Sequence, residues 1–129
     1  MRPTLLVTDD SMIIREKIKD VALQNGWDVV GEAENGQEAI EAFARLRPAA
    51  VTLDMVMPEF DGLHALRGIR QLDGTARVLI VSAIDQMEIF VEAVQLGAID
   101  FVLKPFTQER LQSGLQKMRA LARPATSLK

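Results

Sequence analysis

Five side chains with useful chemistry stand just beyond short apolar runs of the sequence. Asp9 and Asp10 follow TLLVT (Thr4–Thr8), Asp54 follows AVTL (Ala50–Leu53), Ser82 follows VLIV (Val78–Val81), and Lys104, with Pro105 behind it, follows FVL (Phe101–Leu103). Taken singly, each has an ordinary reading. Asp9, Asp10 and Asp54 could be turn formers, with Ser11 the better cap for a following helix, and Ser82 and Lys104 could be solvated surface groups. Taken together they are three carboxylates, one hydroxyl and one ammonium at equivalent positions of successive runs. Two unit charges about 5 Å apart at an effective dielectric near 20 repel by roughly 3 kcal/mol. One ammonium against three carboxylates leaves a net negative nest. A hard divalent cation offsets such a nest, and Mg²⁺ favours a few carboxylates completed by water and phosphate oxygens.

Those runs are four to six residues long and rich in β-branched and aliphatic side chains, as strands buried on both faces are. A further run, WDVV (Trp27–Val30), completes a set of five. Between the runs lie stretches with helical spacing: Ile14, Ile18, Val21 and Ala22; Ala39, Ile40, Phe43 and Ala44; Leu63, Leu66 and Ile69; Ile89, Phe90, Ala93 and Val94; Leu111, Leu115, Met118 and Ala122. Gly26, Gly36, Gly74 and Gly97 punctuate the helix ends, Asp61 is placed to cap the third helix, and Pro48 and Pro124 mark breaks beyond helix ends. Strict alternation predicts an α/β fold, a (βα)5 doubly wound parallel sheet with right-handed crossovers and helices on both faces. In such sheets ligands gather beyond the carboxyl ends of the strands, which is where the five side chains would meet.

Composition removes several alternatives. The chain has 129 residues, enough for one domain, with 48% hydrophobic residues and a formal net charge of −3. A domain devoted to duplex nucleic acid needs a basic face, so direct nucleic-acid binding is not expected. The absence of cysteine excludes disulfides, thiolate zinc sites and a cysteine nucleophile, and the single histidine, His64, leaves no histidine-based triad. No apolar run approaches the roughly 18 residues of a membrane span, and MRPTLLVTDD lacks a signal-peptide layout. Cytoplasmic residence without membrane insertion is expected, with residues 1–122 as the domain and residues 123–129 as a tail or the start of a linker.

The stretches LLVTDD (5–10), GEAENGQEAIEA (31–42), VTLDMVMPEFDG (51–62), VLIVSA (78–83) and GAIDFVLKPF (97–106) resemble the receiver domain of bacterial response regulators over roughly residues 4–120. The resemblance implies the flavodoxin-like, CheY-like sheet order 2-1-3-4-5, for which the chemotaxis members of that family are themselves the standing example. It implies Asp54 as phosphoryl acceptor and Asp10 as the direct metal carboxylate, with Asp9 acting through water and the Val56 backbone carbonyl as a further ligand of Mg²⁺ or a substituting Mn²⁺. Ser82 and Lys104 would each meet a phosphoryl oxygen, and a cis peptide before Pro105 would aim Lys104. Ser82 and Phe101 would form the switch. The implied partners are a sensor histidine kinase or phosphotransfer protein as donor, a downstream output protein, and a phosphatase. His64 is expected to be half exposed and outside the chemistry.

Two departures shape the expectation. Phe101 stands where many relatives carry tyrosine, so its ring acts by packing alone. Val56 and Ile84, flanking the site, are apolar and would shield an acyl phosphate, which predicts slow self-dephosphorylation. Phe90, Val91, Ile99 and Phe101 are candidates for the partner face, the fourth-helix, fifth-strand and fifth-helix surface. The expected role is a phosphoacceptor switch of free-standing chemotaxis type, not an enzyme beyond its own phosphorylation and dephosphorylation. The alternative is the receiver portion of a longer regulator. An aspartate-nucleophile phosphatase would want D-x-D on the first strand, and an FMN carrier a Gly/Ser/Thr-rich phosphate loop where this chain has DDSM.

Overall fold

The computed structural model describes residues 2–121. Its elements alternate strictly: β1 (Thr4–Thr8), α1 (Met12–Gln24), β2 (Asp28–Ala33), α2 (Gly36–Leu46), β3 (Ala50–Leu53), α3 (Gly62–Leu72), β4 (Arg77–Ser82), α4 (Met87–Gln95), β5 (Ala98–Leu103) and α5 (Gln108–Leu121). The five strands pair in parallel in the order β2-β1-β3-β4-β5. This is the doubly wound sheet that the alternation predicts. Among the described residues no helix is long and apolar enough to cross a membrane.

Period-two alternation along the strands divides the core into two layers. Leu5 and Val7 of β1, with Leu79 and Val81 of β4, face Ile18 and Ala22 of α1 and Leu111 and Leu115 of α5. Leu6, Val51, Leu53, Val78 and Ile80 face Phe43 of α2, Leu66 and Ile69 of α3 and Ala93 of α4. Both faces of the sheet are therefore covered, as a parallel sheet requires. Each large side chain buried this way contributes about 1.5–3 kcal/mol.

β1 and β3 lie where the apolar runs put them, and three other strands are displaced. β2 begins one residue late and runs on through Gly31, Glu32 and Ala33, because an edge strand tolerates residues that read as loop. Trp27 precedes it and is fully buried, its indole Nε1 donating to the Leu115 carbonyl at 3.3 Å. β4 extends one residue each way. β5 starts at Ala98, since its pairing with β4 slips between Val78 and Leu79 and leaves Ile99 without a partner in the register. That bulge breaks the alternation a strand is read by. In α2 it is Ala42, not Ala44, that joins Phe43 in the core. Ala122, Pro124 and the expected tail at 123–129 lie outside the described residues.

The capping residues hold the loops at the carboxyl edge of the sheet. Ser11 Oγ accepts from the Ile14 amide at 3.3 Å, Asn35 Oδ1 from Glu38 at 2.9 Å and Asp61 Oδ1 from His64 at 3.0 Å. A further bond from the Gly36 amide to the Phe60 carbonyl, 2.6 Å, ties the start of α2 to the loop before α3.

Candidate functional site

Asp9, Asp54 and Lys104 each stand one residue past the end of β1, β3 and β5, and Ser82 is the last residue of β4. Asp9 is fully buried, and its amide continues the sheet by donating to the Ala33 carbonyl at 3.0 Å. Its Oδ1 accepts from the Ser11 amide at 2.9 Å and its Oδ2 from Lys104 Nζ at 2.6 Å. Asp54, 3% exposed, is anchored by its amide on the Thr8 carbonyl at 3.1 Å. Its Oδ2 accepts from Lys104 Nζ at 3.0 Å, and its Oδ1 from Ser82 Oγ at 2.8 Å and from the Val56 amide at 3.1 Å. Ser82 is buried and its Oγ accepts in turn from the Met55 amide at 3.3 Å and the Ile84 amide at 3.4 Å. The Lys104 amide continues the sheet onto the Ser82 carbonyl at 2.9 Å, and the Lys104–Pro105 peptide is cis.

Asp10 is exposed at the mouth. One carboxylate oxygen from each of Asp9, Asp10 and Asp54 lies within 4.8 Å of the others. Three hard oxygen donors around a net negative centre, with one of the carboxylates open to solvent, fit a divalent cation of the Mg²⁺ kind. Burial pushes the Asp9 carboxyl above its ordinary value, outweighing the opposing pull of Lys104 and the Ser11 amide. Burial also works against the Lys104 ammonium, but the Asp9 and Asp54 carboxylates overcome it and hold its pKa above the usual lysine value. Lys104 therefore stays charged between two carboxylates.

Close packing of backbone keeps this arrangement fixed. Gly62, first residue of α3, donates to the Met55 carbonyl at 3.2 Å. A Cβ there would lie 2.4 Å from the Asp54 carbonyl oxygen and 2.6 Å from Met55 Cα. Only glycine allows α3 to begin this near the loop that carries Asp54.

The remaining candidates are spread outward from the nest. Val56 is 56% exposed at the rim and Ile84 is half-buried. Phe101 is half-buried, and its ring meets that of Phe90 on α4 at 4.5 Å between centroids, inclined by 47°. Val91 is exposed on α4. Ile99 packs instead toward the α1 and α5 layer, on the opposite side of the sheet from Phe90 and Phe101, because the β5 bulge turns it over. His64 is half-buried on α3, with Nε2 3.3 Å from Gln37 Oε1 and its ring tilted against Phe60.

Sequence reading missed Arg15 and Glu32. Arg15 is 8% exposed, its Nη1 donates to the Asp9 carbonyl at 2.8 Å, and its Nε pairs with Glu32 Oε1 at 2.8 Å. The signal was available: Arg15, Ile18 and Ala22 share the helical stripe of α1 that faces inward, and a cation in an apolar stripe requires a partner.

The sequence profile of the response regulator receiver domain matches residues 5–116. The chemotaxis protein CheY of Bacillus subtilis (strain 168) is 42% identical over 117 residues, which span 91% of this chain and 98% of that protein. The response regulator domain of Thermotoga maritima CheB superposes with a TM-score of 0.84 at 33% identity, covering 96% of this chain and 100% of that domain. A chain of the CheX–CheY–BeF3–Mg²⁺ complex from Borrelia burgdorferi is similar at a TM-score of 0.84 and 26% identity, covering 88% of this chain and 87% of its own.

Proposed function

This chain belongs to the response regulator receiver family, and from that membership and the geometry of the nest we propose that it is a CheY-like phosphoacceptor switch of a two-component phosphorelay. Asp54 takes the phosphoryl group. A carboxylate oxygen attacks phosphorus, the bond from phosphorus to a donor imidazole breaks, and an acyl phosphate forms. The donor is a phosphohistidine on a sensor histidine kinase or phosphotransfer protein. Carrying this reading is the single buried assembly in which Lys104 bridges Asp9 and Asp54 while Ser82 donates to Asp54.

The roles are those that membership of the family implies, and the contacts of Lys104, Ser82 and Asp9 support them. Lys104, held charged, meets one phosphoryl oxygen, and the Ser82 hydroxyl meets another. Asp10, the Val56 carbonyl and Asp54 would hold Mg²⁺ or Mn²⁺. Asp9, whose two carboxylate oxygens already accept from Ser11 and Lys104, acts through water. When bound, the metal neutralises charge on the phosphoryl oxygens. The message leaves through Ser82 and Phe101: a change in the hydroxyl's partner changes the packing of the Phe101 ring, and Phe90 carries that change into α4. The output protein reads the α4–β5–α5 face. Coupling of this kind is worth about 1–3 kcal/mol. Val56 and Ile84 offer no polar group to orient an attacking water, so the acyl phosphate decays slowly unless a separate phosphatase acts on it.

Incubation with Mg²⁺ and acetyl phosphate, followed by intact mass, tests the reading. The expected result is one phosphate-sized gain in the native chain, absent in Asp54→Ala. A gain that persists in Asp54→Ala, or no gain in the native chain, would overturn it.

A further inference from the structure

We propose that Arg15 is the positioning residue of the metal site, its guanidinium holding the carbonyl just before Asp10; this rests on the Mg²⁺ reading above. Asp10 is exposed, so no packing fixes it. Its neighbours are held by several bonds, among them the Asp9 amide on Ala33 and the Ser11 amide on the Asp9 carboxylate, and Arg15 adds the one side-chain bond to the carbonyl just before Asp10. After Asp10 the chain enters α1 at its cap Ser11, whose carbonyl accepts the first helical bond from the Arg15 amide at 3.0 Å, a bond independent of the side chain. The Arg15 guanidinium donates through Nη1 to the Asp9 carbonyl at 2.8 Å, just before Asp10. That carbonyl shares a rigid peptide plane with the Asp10 nitrogen, so holding its oxygen sets the direction in which Asp10 leaves the chain.

The guanidinium is itself held. Its Nε pairs with Glu32 Oε1 at 2.8 Å, and Lys19 Nζ fixes the second oxygen of Glu32 at 2.8 Å. Lys19 and Arg15 together pull the Glu32 carboxyl below its ordinary value, so the tie is intact at neutral pH. A cation 8% exposed is costly unless it is bonded, and here every bond it makes either orients it or is made to the turn that carries Asp10. The chain of contacts runs from the edge strand β2 to the mouth of the nest without touching Asp54.

Positioning and simple electrostatics predict opposite signs. Arg15 is a positive charge beside a cation site, so its removal should tighten metal binding if Coulomb repulsion were its whole influence. As a positioning residue its removal should weaken binding, and groups that orient metal ligands typically change affinity about tenfold or more.

The test is titration with Mn²⁺, followed by loss of the free-ion electron paramagnetic resonance signal. The native chain should bind and Asp10→Ala should not; failure of either overturns the metal reading itself. Arg15→Met should bind about tenfold more weakly. Arg15→Lys, which keeps the charge but cannot make both side-chain bonds, should also bind more weakly. A substitution that removes an arginine tied to backbone carbonyls at the far end of the sheet, Arg70→Met, should leave the affinity unchanged. If the native chain binds and Arg15→Met binds equally or more tightly, the inference fails. Should Arg15→Met not fold, unchanged affinity in Arg15→Lys overturns it equally.

Discussion

The two edges of the sheet treat charge in opposite ways. At the carboxyl edge, Asp9, Asp10 and Asp54 crowd together with Lys104 as the cation bonded to two of them. At the amino edge, arginines are distributed over the carbonyls left open where helices end. Arg47 Nη1 donates to Leu72 of α3 at 3.0 Å, Arg77 Nε to Leu121 of α5 at 3.2 Å, and Arg119 Nε to Gly26 after α1 at 3.3 Å. Arg70 covers the end of α4, bonding the Leu96 carbonyl, Gly97 at 3.1 Å and its own helix's Asp73 at 3.3 Å. Helix carboxyl ends carry partial negative charge and unsatisfied carbonyls, so a guanidinium there removes two costs at once. The amino edge is built to hold the fold, and the carboxyl edge keeps an unrelieved repulsion that a ligand can relieve. Stability and function are thus separated by the length of one strand.

The largest expected effect breaks the carboxyl edge by geometry, not charge. Gly62→Ala would set a methyl against the Asp54 carbonyl oxygen and Met55 Cα, both backbone atoms that cannot rotate away. Forcing them apart should cost about 3 kcal/mol in urea unfolding and reduce phosphate uptake at Asp54. Wild-type stability in this variant would mean that the loop before α3 is not tightly fitted.

Arg70→Met removes the bonds to three carbonyls at the opposite edge, and Gly97, in the left-handed region at φ 94°, loses the guanidinium that lies over it. A loss of about 2 kcal/mol is expected, since hydrogen bonds from charged donors are worth about 1.5–3 kcal/mol each before solvent replaces them. Phosphate uptake should be unchanged. A parallel loss of uptake would show that the two edges are not independent.

What Arg70 and Arg15 bind is not legible in the sequence, even where, as for Arg15, an apolar helical stripe says that the cation needs a partner. Arg70 reaches carbonyls 26 and 27 residues away, and Arg15 reaches Glu32 across a turn and a strand. Backbone carbonyls have no sequence signature, so an arginine that binds them reads as solvated charge. The two-sided core and the convergence of Asp9, Asp10, Asp54, Ser82 and Lys104 were legible, because parallel strands put their carboxyl ends together whatever the loops do, whereas the strand order came only with the resemblance to receiver domains. The limits of β2 and β5 were not, since each carries an irregularity in its pairing, near Val30 and at Ile99. Ile99 shows the consequence: one extra residue sends it to the face opposite the one its spacing from Phe101 implies.

A smaller effect separates charge from fit. Asp10→Ala should raise stability in the presence of a chelator, because it removes one member of the repelling set. At a dielectric between those of protein and water, relief from a neighbour about 5 Å away is worth about 1 kcal/mol. The native chain is expected to gain Tm in Mg²⁺ and the same variant to gain none, since only a state that binds is stabilised by the ligand. A lower Tm in chelator would mean that Asp10 contributes a favourable contact at the mouth instead of repulsion.

The smallest expected effect concerns acid, and it tests whether the amino edge truly lacks repulsion. Asp73 follows α3, and its Oδ1 accepts from the Thr75 hydroxyl at 2.6 Å and the Thr75 amide at 2.8 Å. These bonds, aided by Arg47 and Arg70, hold its carboxyl below the ordinary value of 3.8. A depressed carboxylate contributes stability that is fully present above its unfolded pKa and is lost as the pH falls through the folded one. Asp73→Ala should therefore melt below the native chain near neutral pH, by no more than a few degrees for so exposed a group. The gap should narrow on acidification below about pH 4, where the unfolded carboxyl takes up its proton before the folded one does. A gap that widened in acid would place Asp73 among groups whose charge the fold resists, and the contrast between the two edges would then be one of degree.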